Sequence, residues 1–126
     1  MTDFETLAEN DGIRIVYGSI PNAVAIALES AVCLDISTLY SDSRRTAMLA
    51  HELGHIETGA LYTAEASHVV RAQAETRARR WAIRRLISRD EIADLIRDGY
   101  TEPWQMAEKI GLPEETIREA LNYYFQ

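Results

Sequence analysis

The pattern that most constrains the fold of this chain is HELGH at residues 51–55, which lies in a stretch of helix-forming residues. Two histidines four residues apart lie one turn from each other on the same face of an α-helix, so both imidazoles can reach a single metal ion. Zinc prefers neutral imidazole nitrogens and carboxylate oxygens, and a catalytic zinc leaves one position open for water. The pattern therefore predicts a helix with a metal-binding face, which a second element of the fold must complete.

Glu52 stands between the two histidines and lies about 100° around the helix from His51, beside the metal position. This placement suits a general base that takes a proton from a water molecule. The alternative is that two histidines and a glutamate fall in this pattern by coincidence. Because the chain has only 3 histidines, such a match is expected by chance in well under roughly 1% of similar chains. We therefore interpret His51 and His55 as metal ligands.

The motif leaves the third metal ligand open. In the metzincin arrangement, a glycine and a histidine follow three and six residues after the second histidine. Thr58 and Leu61 occupy those positions, and Gly59 is one residue off. The remaining histidine, His68, is thirteen residues beyond His55, near the predicted start of another helix, and we interpret it as an ordinary surface or capping-turn histidine.

Among the carboxylates, Glu75 is the best-placed candidate for the third ligand. It is the only acidic residue among seven arginines, and a helix–loop–helix hairpin can bring its face back against the motif helix. Glu57 and Glu65 are alternatives, but Glu57 faces the opposite side of the motif helix and Glu65 stands near a helix start, where caps are common. If Glu75 is not a ligand, it would pair with Arg71 or Arg79, each four residues away.

The net charge of −7 is unevenly distributed, because residues 71–89 carry seven arginines and one glutamate between two acidic segments. A basic stretch of this kind can be a nucleic-acid footprint. Because acidic segments flank it on both sides, we interpret it as a helix whose arginines pair with the rest of the same domain. We expect no direct binding of nucleic acid.

The length of 126 residues and the 47% apolar content are those of one ordinary globular domain. Cys33 is the only cysteine, which fits a reducing compartment. The N-terminus lacks the features of a signal peptide, and no apolar run is long enough to span a bilayer. We expect a soluble, cytoplasmic protein without a membrane contact, with one domain at 1–126 whose core lies at about 12–90 and whose helical tail lies at about 91–126.

Capping signals, glycines and hydrophobic periodicity predict a helix, a small sheet and then several helices. The predicted strands are residues 13–18, which Gly18 and Pro21 end, and residues 23–28 and 31–36, which form a hairpin. The predicted helices start at Thr2, at Ser41 or Ser43, at Thr63, at Ser88, at Thr101 and at Pro113. This order predicts an α+β fold with a sheet of about three strands, antiparallel or mixed, packed against helices.

Two segments together, LAHELGH at 49–55 and AETRARRWAIRRLI at 74–87, resemble the ImmA/IrrE-type zinc metallopeptidases of bacteria, phages and integrative elements. The second segment is similar to one helix of that family. This helix carries glutamate–x–x–alanine, then an aromatic–alanine pair, and ends in apolar residues. The matching residues are Glu75, Ala78, Trp81, Ala82, Leu86 and Ile87. Ser88 stands where the family commonly has a proline, and the resemblance covers roughly residues 12–90.

The resemblance implies a zincin-like core with three zinc ligands, His51, His55 and Glu75, and with Glu52 as the catalytic base. It also implies a zinc-dependent endopeptidase that cuts, or otherwise inactivates, a helix-turn-helix repressor encoded nearby. The alternative is a non-enzymatic binding module that sequesters a repressor or another protein. The intact Glu52 argues against that alternative, because a purely structural metal site has no use for a base. Tyr62, just past the motif helix, is our candidate for stabilising the oxyanion, and core packing is its alternative role.

The C-terminal segment at 106–121 has the alanine and glycine spacing of a helix-turn-helix unit. A helix that reads DNA presents arginine, lysine, asparagine or glutamine to bases and phosphates. Here the second helix offers three glutamates and a single arginine, a surface that repels a phosphate backbone. We interpret the segment as a helical hairpin that packs on the domain or on a partner.

Overall fold

The computed structural model describes residues 3–20, 23–35, 37, 39 and 41–126. Within these ranges the helices are α1 (Asp3–Asn10), α2 (Asp42–Glu57), α3 (His68–Leu86), α4 (Arg89–Arg97), α5 (Pro103–Ile110) and α6 (Glu114–Phe125). The strands are β1 (Arg14–Gly18), β2 (Ala25–Leu28) and β3 (Ala31–Asp35). The predicted α+β class with a small sheet is confirmed. The predicted roles of Thr2 as a cap and Pro21 as a strand end, and the predicted strand end at Ile36, lie outside the described residues.

The sheet is mixed, with strand order β1-β3-β2. The predicted hairpin forms between β2 and β3, which pair antiparallel with Ile26 opposite Cys33. β1 joins the other side of β3 in parallel, with Val16 opposite the same cysteine. Val32 and Leu34 of β3 are buried in the core, so one face of the sheet packs on the helices and β2 is left as an edge strand near α2.

The helices α2 and α3 come very close together at Gly54. A Cβ atom placed on this residue would lie 2.5 Å from the carbonyl oxygen of Ala78, and Ala78 is fully buried. Glycine inside a helix costs about 1 kcal/mol relative to alanine, and here its missing side chain lets the two helices touch. This contact sets the distance between the motif helix and the helix that carries Glu75.

The start of α3 differs from the prediction. Thr63 was expected to cap this helix, but the helix begins at His68, where the hydroxyl of Ser67 accepts a hydrogen bond from the backbone N–H of Val70 (3.2 Å). The carbonyl of Thr63 instead accepts from the N–H of Ala66 (3.1 Å), which closes a turn. Residues 60–67 therefore form a loop, and this loop passes beside His55 of α2.

Two hydrophobic clusters hold the chain together. The first lies between the sheet, α1, α2 and α3 and includes Leu34, Leu53 and Trp81. The second lies between the end of α3 and the three C-terminal helices and includes Ile87 and Ile117, both fully buried. The C-terminal hairpin thus packs on the domain through an apolar face. No helix in the described part of the chain combines the length and the apolar character needed to cross a membrane.

Candidate metal centre

α2 and α3 bring His51, His55 and Glu75 together at one end of their contact. The potential ligand atoms of the three side chains all lie within 4.8 Å of one another. Nε2 of His51 is 2.8 Å from Oε2 of Glu75, and Nε2 of His55 is 3.3 Å from Oε1 of the same carboxylate. In the described ranges, no other group of three or more histidine, cysteine or acidic side chains is close enough to share a metal ion.

The donor set of this group matches the chemistry of a catalytic zinc site. Two imidazole nitrogens and one carboxylate oxygen leave a fourth tetrahedral position for water or substrate, and no cysteine takes part. Two atoms bound to one tetrahedral zinc at about 2.1 Å lie roughly 3.4 Å apart. The distance of 3.3 Å from His55 to Glu75 is close to this value, whereas the 2.8 Å between His51 and the other carboxylate oxygen is a hydrogen-bond distance. The donor types and their grouping within 4.8 Å fit the ion.

The loop after α2 fixes the tautomer of His55. Gly59 adopts a positive φ of 68°, which reverses the chain directly after the helix. The carbonyl of Ala60 then accepts a hydrogen bond from Nδ1 of His55 (2.7 Å). Because Nδ1 carries the proton, the lone pair of Nε2 is directed towards the carboxylate of Glu75 and is available for a metal ion.

Glu75 makes contacts that keep its carboxylate charged. Burial raises its pKa, but hydrogen bonds from Tyr62 and His51, together with the electrostatic influence of His55 and His51, outweigh burial, so the pKa lies below the ordinary value of a glutamate. The alternative pairing of Glu75 with Arg71 or Arg79 is not observed. Arg71 donates to backbone carbonyls of the preceding loop, that of Ala66 at 3.1 Å, and Arg79 is paired with Glu119 of α6.

Tyr62 lies beside the candidate ligands. Its hydroxyl donates a hydrogen bond to Oε1 of Glu75 (2.8 Å), and its ring packs edge-on against His55 with centroids 6.0 Å apart. The hydrogen bond to Glu75, together with partial burial, raises the pKa of Tyr62 above its usual value, so the hydroxyl stays protonated. The contact orients a candidate ligand, and the role in stabilising the oxyanion, for which Tyr62 was a candidate beside core packing, stays a prediction.

Glu52 is buried, with 9% of its surface exposed. Burial raises its pKa above the ordinary value, the two histidines oppose this shift, and the charge of Glu75 adds to it. No hydrogen bond to another residue in the described parts of the chain holds its carboxylate. Among the described residues no fully enclosed side-chain oxygen lacks a hydrogen-bond partner, so the carboxylate oxygens of Glu52 are reached from the cavity that this residue lines.

The cavity has a volume of about 390 Å³ and is lined by His51, Glu52 and Glu75 at one end. Its further walls include side chains that the sequence did not predict as site residues. They are Arg44, Met48, Arg79, Ala82, Leu86, Pro113, Glu115, Thr116 and Glu119. Helical spacing could have indicated Arg44 and Arg79. Arg44 lies on the same face of α2 as His51, and Arg79 lies on the same face of α3 as Glu75. No local signal indicates that α6 supplies a wall.

Comparison with known families agrees with the geometry. A model of the IrrE N-terminal-like domain, a peptidase family, matches residues 8–122. The chain belongs to this family. The match confirms the resemblance drawn from the two helical segments, and it extends beyond residues 12–90 into the C-terminal helices. Neither the curated proteins nor the solved structures include a match to the chain.

The other candidate ligands are not part of the metal group of this IrrE N-terminal-like domain. His68 is exposed at the first residue of α3, and Glu65 is exposed in the loop that precedes it. Glu57 is exposed on α2, where a hydrogen bond with Asp11 raises its pKa more than partial burial does. Of the candidates that the sequence left open, the structure brings only Glu75 close to His51 and His55 among the described residues.

Proposed function

We propose that this protein is a zinc-dependent endopeptidase. In this proposal His51, His55 and Glu75 hold the zinc ion and Glu52 is the catalytic base. Support comes from the metallopeptidase family and from the grouping of three side chains that could hold a metal. The observation that carries the proposal is Glu52, a buried carboxylate with a raised pKa that borders the cavity at the metal group.

Each residue of the group has a defined task in peptide hydrolysis. A zinc ion, when bound, polarises the carbonyl of the peptide and makes water a stronger nucleophile at neutral pH. The Glu52 carboxylate accepts a proton from the water whose oxygen attacks the carbonyl carbon. It then returns the proton to the nitrogen as the C–N bond breaks. A base whose pKa is raised towards neutral pH is suited to both steps. His55 keeps its proton on Nδ1, donated to the Ala60 carbonyl (2.7 Å), and offers Nε2 as ligand.

The substrate that we propose is a helix-turn-helix repressor encoded near the gene of this protein and cut in the cytoplasm. This class of substrate follows from the family resemblance, and the cavity beside Glu52 is open to a peptide segment. The competing idea is that the protein sequesters its partner without cutting it. The two ideas differ in what they require of Glu52, because only hydrolysis needs its proton transfer.

The experiment compares the wild type with Glu52→Gln. Zinc per chain is measured by atomic emission, and cleavage is followed by mass spectrometry with the neighbouring repressor as substrate. We expect the variant to keep its zinc and to cut about 10²- to 10⁴-fold more slowly, the usual contribution of a general base. A wild type that binds no zinc refutes the proposal. A variant that keeps zinc and full biological function shows that hydrolysis is not the activity.

A second comparison tests the ligand set. Glu75→Ala should weaken zinc binding strongly, because a carboxylate ligand is lost from a site with three protein ligands. Glu65→Ala is the matched control, since it removes an exposed glutamate of the neighbouring loop that is not in the metal group. Zinc affinities are measured by competition with a chromogenic chelator. Equal affinities in the two variants would remove Glu75 from the ligand set.

A further inference from the structure

One basic side chain of the cavity has no task in the steps above. Arg79 lies on α3 four residues after Glu75, hence on the same helix face and about 6 Å further along the helix axis. It lines the same cavity as Glu52 and Glu75, and its side chain is 43% exposed. A guanidinium at this position can meet a peptide that lies beside the proposed base.

The guanidinium of Arg79 is held only loosely by its own protein. Its Nε atom is 3.7 Å from Oε2 of Glu119, which is an ion pair but is beyond hydrogen-bonding distance. Among the described residues it donates no hydrogen bond. Arg44 of α2, which also lines the cavity, instead donates to Glu115 at 3.1 Å. An arginine has five N–H donors, so those of Arg79 are available to a ligand in the cavity.

We propose that Arg79 binds substrate by donating to a main-chain carbonyl oxygen of the peptide next to the cleaved bond. The proposal rests on the peptidase function proposed above. Charge selects a neutral acceptor, because Glu119 already balances the arginine. A substrate carboxylate would have to displace Glu119, whereas a neutral carbonyl oxygen can bind while this ion pair stays in place.

The surroundings of Arg79 strengthen such a hydrogen bond. Met48, Ala82 and Leu86 line the same cavity and present apolar surface to a bound peptide. A hydrogen bond from a charged donor is stronger where apolar groups reduce the local dielectric constant. The arginine would thus fix the peptide backbone while the apolar wall receives side chains.

The test uses a library of fluorescence-quenched decapeptides and the zinc-loaded full chain. The best peptide from the wild-type screen is then measured with Arg79→Gln. We expect kcat/KM to fall about 10- to 100-fold, as is typical when one hydrogen bond from a charged group is lost. Zinc content and the zinc dissociation constant should not change. Arg77→Gln is the matched control, because Arg77 is exposed on the same helix and does not line this cavity, and it should match the wild type.

Glu119→Gln separates a binding role from a structural role. If the pair with Glu119 only ties α3 to α6, both variants lose activity equally. If Arg79 binds substrate, Glu119→Gln keeps or improves peptide affinity, because the guanidinium gains freedom to reach the peptide. The dissociation constant of the uncut peptide, measured in the Glu52→Gln background, should rise with Arg79→Gln by the same factor as the loss of kcat/KM.

The outcomes distinguish the two proposals. A wild type that holds zinc and cuts no peptide and no repressor refutes the peptidase function. A wild type that cuts peptides equally well with Arg79→Gln refutes only the role of Arg79. A loss confined to peptides with a glutamate, absent from the matched peptide with a glutamine, would overturn the carbonyl as the acceptor and assign Arg79 to an acidic side chain.

Discussion

Gly54→Ala should disrupt both the stability and the metal site, although it adds only one methyl group. The new Cβ would lie 2.5 Å from the carbonyl oxygen and 3.1 Å from the carbonyl carbon of Ala78. An ordinary contact begins at 3.4 Å, so the two helices would have to separate by about 0.9 Å at this point. Because the clash is between the Cβ of residue 54 and backbone atoms of Ala78, no side-chain rotation relieves it.

The energy follows from two opposing effects. Overpacking a well-packed contact costs about 1–3 kcal/mol. Replacing glycine by alanine inside a helix returns about 1 kcal/mol. We therefore expect a net loss of up to about 2 kcal/mol in the free energy of unfolding of the metal-free protein, measured by urea denaturation.

Zinc binding should lose more free energy than folding does, because Glu75 lies one turn from Ala78 on the helix that is displaced. Metal–ligand distances tolerate about 0.2 Å, much less than the required separation. We expect zinc affinity to fall about 10- to 100-fold, measured by competition with a chelator. Gly18→Ala is the control, because nothing lies within 4 Å of a Cβ at Gly18, and it should leave zinc affinity unchanged.

A second substitution tests the origin of the effect. Adding Ala78→Gly to Gly54→Ala should not rescue zinc affinity, because the closest atoms belong to the backbone of residue 78 and remain. Rescue would show that side chains cause the clash. A Gly54→Ala protein that is more stable than the wild type and that binds zinc with unchanged affinity would refute the close helix contact altogether.

Three further predictions concern single side chains. Tyr62→Phe should weaken zinc binding about 10- to 100-fold by releasing Glu75, whereas a fall in kcat at unchanged zinc affinity would assign the hydroxyl to the oxyanion. Glu52→Gln should stabilise the metal-free protein increasingly as pH rises above about 4.3, the ordinary pKa of glutamate. The reason is that the raised pKa of Glu52 in the folded state makes the wild type lose stability as the pH rises through this range. If the difference in the free energy of unfolding, measured in urea, were the same at every pH, this prediction would be contradicted. Ile117→Ala, at a fully buried position, should lower the free energy of unfolding by about 2–5 kcal/mol, and a loss below 1 kcal/mol in the same assay would contradict its packing.

The close grouping of His51, His55 and Glu75 could be predicted from the sequence because its signals are local, and metal binding by this group stays a prediction. The two histidines and Glu52 lie within five residues of one helix, so helix geometry alone sets their relative positions. Glu75 was indicated by its isolation among arginines and by the family resemblance. The distance between the two helices could not be predicted in this way. It depends on the contact of Gly54 with Ala78, which is a property of packing.

The errors also have physical causes. Thr63 and Ser67 can both cap a helix, and the turn closed by the Ala66 N–H and the Thr63 carbonyl decides in favour of the later start. The predicted pairing of the arginines with acidic residues holds for Arg79 but not for Arg71, which binds backbone carbonyls. Such choices depend on loop conformation, on which periodicity gives no information.

The helix α6 is shared between two tasks of the molecule. Its apolar face completes the second hydrophobic cluster through Ile117 and Ala120, while Glu115 and Glu119 on another face line the cavity. A substitution that improves or loosens the cluster therefore also shifts a wall of the cavity. A substitution in α6 that adapts this protein to a higher temperature would therefore also alter the cavity that receives the substrate. Selection for thermal stability at this helix constrains selection for a new substrate.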